Sequence, residues 1–289
     1  MKPVFSVIIP VFNAAETLAE ALESVANQSF SDFEIVVVND GSTDESVQIL
    51  ESFAKNHPAL TVNLVEQANQ GLGAARNAGV DQSRGEYCAF LDADDLWQPQ
   101  KLESCYQYLK SSPACKALYH GVVAFTADGE RKRNAYPVQG TRQLLQKGNP
   151  LVPSAVVLKH ALIQRLRFTE DPLYLGAEDL HLWLRLLHQE VQLHFWPEYL
   201  TYYRAEGGMS TELEKHLLHV FAVLDHFYQK GYFKLSHLEM AKRRKYYEAG
   251  RLSQKQGQHF KAERYYAAAD SKSMKILGLR FLNLLGFKV

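Results

Sequence analysis

Phe33-Glu-Ile-Val-Val-Val-Asn-Asp-Gly-Ser-Thr-Asp44 is the stretch on which the reading of the fold turns. Phe33 to Val38 is an almost unbroken run of β-branched and aromatic residues, the pattern of a strand covered on both faces. Asn-Asp-Gly then breaks it with turn chemistry. Glu45 to Lys55 resumes with helical spacing, and Ser42, Thr43 or Asp44 can cap that helix. Strand, polar turn and helix in succession make one half of a parallel β-α-β unit.

The same unit recurs on either side. Upstream, Phe5 to Ile9 is a short strand closed by Pro10, and Leu18, Ala21, Leu22 and Val25 share one face of a helix over Glu16 to Gln28. Downstream come a strand at Leu60 to Val65, a helix at Leu72 to Gln82 and a strand at Glu86 to Leu91. This predicts an α/β fold, a mostly parallel sheet with helices on both faces. The later pattern is mixed. It gives a helix over Pro99 to Leu109, a strand over Lys116 to Phe125, a turn at Asp128-Gly129 and a helix over Thr141 to Lys147. Strands follow at Ala155 to Leu158, Val191 to Phe195 and Tyr199 to Tyr203, with an amphipathic helix over Glu178 to His188. From Thr211 the chain reads as helical. The expected division is residues 1–210 (1–100 and 101–210 as its halves) and a C-terminal helical region, 211–289, with Tyr246 to Ala269 as a helix hairpin.

Composition agrees. Of 289 residues, 46% are hydrophobic and 22% charged, which supports a packed core and excludes a disordered chain. Lys plus Arg equals Asp plus Glu, yet the charge is lopsided. Residues 241–289 hold twelve Lys or Arg against Glu248, Glu263 and Asp270, a balance of about +9, and the remainder is about −9. The basic tail suits an anionic partner, a lipid surface included; no nucleic-acid partner is expected. Three cysteines without a C-x-x-C pair support neither a disulfide framework nor a zinc site, and fit a reducing cytoplasm. The first apolar stretch is too short for a signal peptide, and no run of apolar residues could span a membrane.

Ligands of an open parallel sheet bind beyond the carboxyl ends of its strands. Four successive strand ends here carry polar or turn residues: Pro10-Val-Phe-Asn13, Asn39-Asp-Gly-Ser-Thr-Asp44, Asn69-Gln-Gly-Leu-Gly73 with Arg76 and Asn77, and Asp92-Ala-Asp-Asp95. Three carboxylates within four residues repel one another unless a hard cation compensates. Mg²⁺ or Mn²⁺ takes few protein oxygens and completes its shell with phosphate and water. The other reading is an acidic turn capping the next helix. Asp40 stands too far upstream to cap its helix and can accept bonds from a base or ribose; Asp44 is the cap. Arg76, in the first turns of its helix, suits a phosphate or a surface ion pair. Glu178-Asp179 opens the amphipathic helix, where a carboxylate can take a proton from a hydroxyl or simply favour the helix N-terminus. His181 and Trp183 read as packing residues.

Taken in order, these segments resemble the inverting family 2 glycosyltransferases of the GT-A fold. Ser6 to Asn13, Phe33 to Asp44, Asn69 to Asn77 and Leu91 to Asp95 (a D-x-D element) match its successive loops. Glu178 to Arg185 matches its E-D helix, and Tyr203-Arg204 with Gly207, Met209 and Ser210 its closing loop. The resemblance implies transfer of a sugar from a nucleotide-diphosphate sugar, UDP-linked as is usual in the family, to a hydroxyl of a saccharide or lipid-linked saccharide. It also implies roles. Pro10 and Asp40 shape and contact the base, and Arg76 helps hold the nucleotide. Asp92 touches ribose or metal-bound water, and Asp94 binds Mn²⁺ or Mg²⁺. Asp179 is the general base, and Arg204 and Ser210 close over the diphosphate. One departure stands out: many relatives carry a histidine two places after the closing-loop arginine, where this chain has Glu206, and the loop is one residue short.

Two other classes remain at this point. A sugar-nucleotide nucleotidyltransferase could use a similar nucleotide-metal site, and a non-catalytic scaffold could bind a nucleotide without turnover. At the tail, Met274, Leu277, Phe281, Leu284 and Leu285 share a helical face. Packing on the protein or in a homodimer is the preferred reading over contact of residues 271–289 with the inner face of a membrane.

Overall fold

The structure is a computed structural model that describes residues 2–127, 129–205, 213–270 and 274–288. Two compact units divide the chain, Met1–Gly140 with Asn149–Thr211, and Thr141–Gly148 with Glu212–Val289.

The first unit is built on one sheet. Its strands are β1 (Phe5–Val11), β2 (Phe33–Asn39), β3 (Val62–Glu66), β4 (Tyr87–Phe90), β5 (Leu96–Trp97), β6 (Ala117–Thr126), β7 (Gly129–Lys132), β8 (Val156–Lys159) and β9 (His194–Arg204). Among the described residues the order is β3-β2-β1-β4-β8-β6-β9-β5, with β7 on β6. β3, β2, β1 and β4 run parallel, and β8 enters antiparallel between β4 and β6.

The alternation of β1 explains the two-sided cover. Phe5, Val7, Ile9 and Val11 pack with Leu18, Leu22 and Val25 of α1 (Leu18–Ala26), Leu50 and Phe53 of α2 (Ser46–Asn56), and Leu102, Cys105 and Leu109 of α4 (Lys101–Ser111). Ile8 points the other way, against Gly79 of α3 (Leu72–Gln82). A Cβ at Gly79 would collide with Ile8, so glycine lets α3 lie close to the sheet. The mostly parallel sheet with helices on both faces follows from burying both sides of these strands.

Three differences from the sequence reading have physical causes. The strands expected at Val191 to Phe195 and Tyr199 to Tyr203 are one strand, β9. Its register against β6 shifts around Gly121, so that His120 faces Trp196 and Gly121 faces Tyr199. Pro197, which lacks an N–H, falls in that bulge, where no ladder bond is required. β5 and β7 are too short to show periodicity. α6 (His160–Leu166), seven residues directly after β8, is too short to show its period. The E-D segment forms α7 (Glu178–His188), with Leu182, Trp183, Leu184 and Leu186 fully buried.

The second unit holds α5 (Thr141–Lys147), α8 (Leu213–Gln229), α9 (Leu235–Lys255), α10 (His259–Asp270) and α11 (Met274–Leu284). A division at residue 210 sets α5 in the first part. In the structure α5 packs on α9, with Leu144 and Leu145 buried, because this amphipathic turn finds its apolar partner among the C-terminal helices. α9 and α10 cross closely at Gly250, where a Cβ would meet the Tyr266 ring. Ala262, Tyr266, Ala269, Ile276 and Leu279 form one apolar cluster of this unit.

Candidate active site

The loops after β1, β2, β3 and β4 are tied to one another. The Asn13 N–H donates to Ser42 Oγ (3.0 Å), and Thr43 N–H donates back to Asn13 Oδ1 (2.8 Å). Asn13 carries a positive φ of 48°, which asparagine tolerates. Asp44 accepts from Ala15 and Ser46 N–H, so one carboxylate joins the first loop to the start of α2; these bonds hold its pKa down against partial burial. The Thr17 hydroxyl donates to the Ala93 carbonyl at 2.8 Å, linking the first loop to the fourth.

Asp40 is buried at the end of β2. One oxygen accepts from Gln67 Nε2 (2.7 Å) and Gln70 N–H (2.9 Å), and the other from Gly71 N–H (2.9 Å). Its carboxylate therefore fixes the backbone of the third loop. Gly71 has a φ of 88°, and a Cβ at Gly73 would strike the Thr169 carbonyl. Glycine at both places lets the start of α3 approach the 168–170 segment. Asn77 holds that segment with bonds to the Phe168 N–H and carbonyl and to Glu170. Pro10 lies buried within β1, opposite Val38.

Arg76 is the centre of the site. Its guanidinium is 1% exposed. Nη2 meets Asp92 Oδ1 at 2.6 Å, Nη1 meets Glu178 Oε1 at 2.7 Å, and the group lies over the Phe168 ring. Burial works against its charge, but Asp92 and Glu178 more than offset this and drive its pKa up. The sequence suggested an open arginine or a surface pair; the structure makes a buried bridge between two acidic segments far apart in the chain.

Each segment sets a further carboxylate beside the bridged one. Asp94 sits next to Asp92; burial, then the Asp92 charge, pushes its pKa up to about 6. Asp179 sits next to Glu178; burial, then the Glu178 charge, takes it likewise to about 6. Asp179 accepts from the Leu180 N–H (2.6 Å) and from Asn149 Nδ2 (3.3 Å). Asp95 is fully buried, its pKa raised by burial and by Asp92 and Asp94, and it accepts from Arg204 N–H at 2.9 Å.

Arg204, at the end of β9, closes on the same loop. Its Nε donates to the Asp94 carbonyl, Nη2 bonds Glu20, and the guanidinium covers Phe125. Ser210, with Glu206, Gly207 and Met209, lies outside the described residues. His181 is buried and stacks on Tyr174 (5.1 Å between centroids), as a packing residue.

Sequence reasoning missed Ser154 and Asn149. Ser154 Oγ accepts from Asp92 N–H, and its carbonyl accepts from Trp97 Nε1 and Thr201 Oγ1, which locks the acid loop onto β8 and β9. Neither residue belongs to a local motif, so nothing in the sequence could have found them.

The donor set at the end of β4 is hard carboxylate oxygen, and the Asp94 carboxylate accepts from its own backbone N–H with Arg204 and Arg76 near enough to favour its charge. Among the described residues no three His, Cys, Asp or Glu side chains are placed to hold one metal ion together. Hard carboxylate oxygens such as those of Asp92 and Asp94 are the donors that a cation taking one or two protein carboxylates, with phosphate and water, would use.

This site, on this sheet, is that of a GT-A glycosyltransferase. The chain belongs to glycosyl transferase family 2, whose family profile matches residues 6–164. It is 25% identical to the uncharacterized glycosyltransferase MJ1057 of Methanocaldococcus jannaschii, over 80% of this chain and 82% of that protein. For several other curated relatives the match spans only about a third of their length, 35%, 28% and 30%. The mannosyltransferase PcManGT of Pyrobaculum calidifontis, solved with GDP-Man and Mn²⁺, shares the fold with a TM-score of 0.65 at 19% identity, covering 99% of this chain and 80% of that one. TarS of S. aureus, residues 1–349 with UDP-GlcNAc, gives 0.64 at 20%, covering 98% and 86%.

Proposed function

We propose that this protein is an inverting, divalent-metal-dependent transferase that moves a hexosyl or N-acetylhexosaminyl group from a nucleotide-diphosphate sugar to a hydroxyl of a saccharide or lipid-linked saccharide, in the building of a surface polysaccharide or glycolipid. The observation that carries this reading is Arg76, which holds the Asp92 loop and the Glu178-Asp179 helix on one guanidinium. A diphosphate site and a proton acceptor must face one reaction centre, and a shared buried cation is a direct way to fix their spacing.

Asp94, with Asp92, would hold Mn²⁺ or Mg²⁺, which when bound neutralises charge on the leaving diphosphate. Asp40 orders the backbone of residues 67–71, on which the base rests beside Pro10, and uracil is the favoured base. Arg204, at the end of β9, would close over the diphosphate. Asp179 takes the proton of the acceptor hydroxyl. The acceptor oxygen then bonds to the anomeric carbon as the bond from that carbon to the diphosphate oxygen breaks, and the nucleoside diphosphate leaves with the electron pair. Attack from the opposite face inverts the anomeric centre.

Calorimetry with UDP- and GDP-sugars, each with and without Mn²⁺ or Mg²⁺, tests the donor half of this reading. Metal-dependent binding followed by slow donor hydrolysis is expected. Release of pyrophosphate from a nucleoside triphosphate would make the protein a nucleotidyltransferase instead, and tight donor binding without hydrolysis or transfer would make it a scaffold.

A further inference from the structure

Helix α11 is apolar on two opposite sides. Ile276, Leu279 and Asn283 turn inward and are 6%, 7% and 2% exposed. Leu277, Phe281 and Leu284 stand one and two turns apart on the other side, 42%, 62% and 75% exposed, with Leu285 and Phe287 beside them. A helix that merely covers a soluble core puts polar residues there. The same end of the unit gathers more. Asn283 Nδ2 donates to the His259 carbonyl and Gln254 Nε2 to the Phe287 carbonyl, so the turn between α9 and α10 meets the end of α11. That turn carries the exposed Lys255 and Phe260, and Lys288 lies against Gly257. Exposed Lys261 and Arg264 follow on α10.

We propose that this face docks on an anionic lipid bilayer, with α11 lying in the interface. Exposed leucine and phenylalanine gain by entering the headgroup boundary, and the surrounding cations gain from anionic lipid. A second copy of the chain fits less well. A two-fold contact through this face would crowd the exposed Lys255, Lys261, Arg264 and Lys288 of the two copies together. Among the described residues no helix is long and apolar enough to cross a membrane, so the contact is with the surface. This inference is independent of the proposed reaction.

The test is co-sedimentation of the full chain with vesicles of phosphatidylcholine alone and of phosphatidylcholine mixed with phosphatidylglycerol. The protein is expected to pellet with the mixed vesicles and to remain in solution with the neutral ones. The Leu277→Gln, Phe281→Gln, Leu284→Gln variant alters exposed side chains only, so its thermal unfolding should match the parent. Its partition coefficient should fall at least about tenfold. Lys255→Gln with Lys288→Gln should weaken binding less and flatten its dependence on salt. Equal binding by the triple variant, or no binding of the parent to mixed vesicles, overturns the proposal. So does a dimer in sedimentation velocity that the triple variant abolishes, which would give the face to a second copy.

Discussion

The loop at 92–95 and the helix start at 178–179 use the same parts to opposite ends. Each gives one carboxylate to Arg76, and each leaves a neighbour, Asp94 or Asp179, whose pKa burial and a like charge push up to about 6. They differ in what surrounds the neighbour. Asp179 is held by its own helix N–H and by Asn149, and stands as a single proton acceptor. Asp94 is crowded by Asp92 and the fully buried Asp95, with the Arg204 guanidinium turned to its carbonyl, not its carboxylate. One region stores excess negative charge and the other leaves a lone base. In the proposed reaction the cation is assigned to the first and the acceptor hydroxyl to the second.

The comparison breaks first at the base. Asp179→Asn should lower transfer by about 10²- to 10⁴-fold while donor binding, measured by calorimetry, stays nearly unchanged. Near-normal turnover would remove Asp179 from the mechanism. The bridge comes next. Arg76→Met leaves Asp92 and Glu178 without their cation, and denaturant unfolding should show a loss of about 3–5 kcal/mol. Adding Glu178→Leu should restore part of that loss, since it removes the buried charge left behind.

Asp94→Asn should separate stability from function. A carboxylate whose folded pKa exceeds its unfolded value binds the proton more tightly when folded. Its contribution therefore favours folding below the unfolded pKa and is lost as pH rises to about 6. Without metal, the variant should be more stable than the parent at pH 7 by about 1 kcal/mol, and the metal-dependent heat of donor binding should disappear. Donor binding equal to the parent's would dismiss Asp94 as a ligand.

The pH profile sharpens the contrast. At saturating metal, transfer should fall about tenfold per unit below pH 6, because Asp179 must be ionised to accept a proton. Metal should move the Asp94 limb to lower pH and leave the Asp179 limb in place, since a bound cation favours the ionised carboxylate. The smallest effect is expected at Asn149→Ala, where loss of one long bond to Asp179 should shift that limb and cost less than about tenfold in rate. A change confined to KM would assign Asn149 to acceptor binding instead.

Much of this was legible in the chain. The strands of the first hundred residues are apolar on both faces, so their positions show as continuous runs, and each ends in turn residues that have no other local use. Asp40, Asp92 and Asp94 stood out because charge at the end of a buried strand is costly without a purpose; Asp179 stood out through the resemblance, since a carboxylate at a helix start is favourable in itself. What stayed hidden was non-local. Ser154 is an ordinary serine until Asp92, Trp97 and Thr201 arrive from three other elements. β9 looked like two strands because Pro197 interrupts the pattern, and only pairing with β6 shows a bulge that accepts it.

The sequence by itself determined the alternation of strands and helices, the side of the sheet on which its loops gather, and the acids those loops carry, because periodicity and turn chemistry are local properties. Only the tertiary structure decided that Arg76 faces carboxylates in place of solvent, and that Asp94 and Asp179 share a raised pKa for different ends. It also showed that α11 keeps an apolar side outward. Burial and partner choice depend on residues remote in sequence, and those become neighbours only when the sheet closes around them.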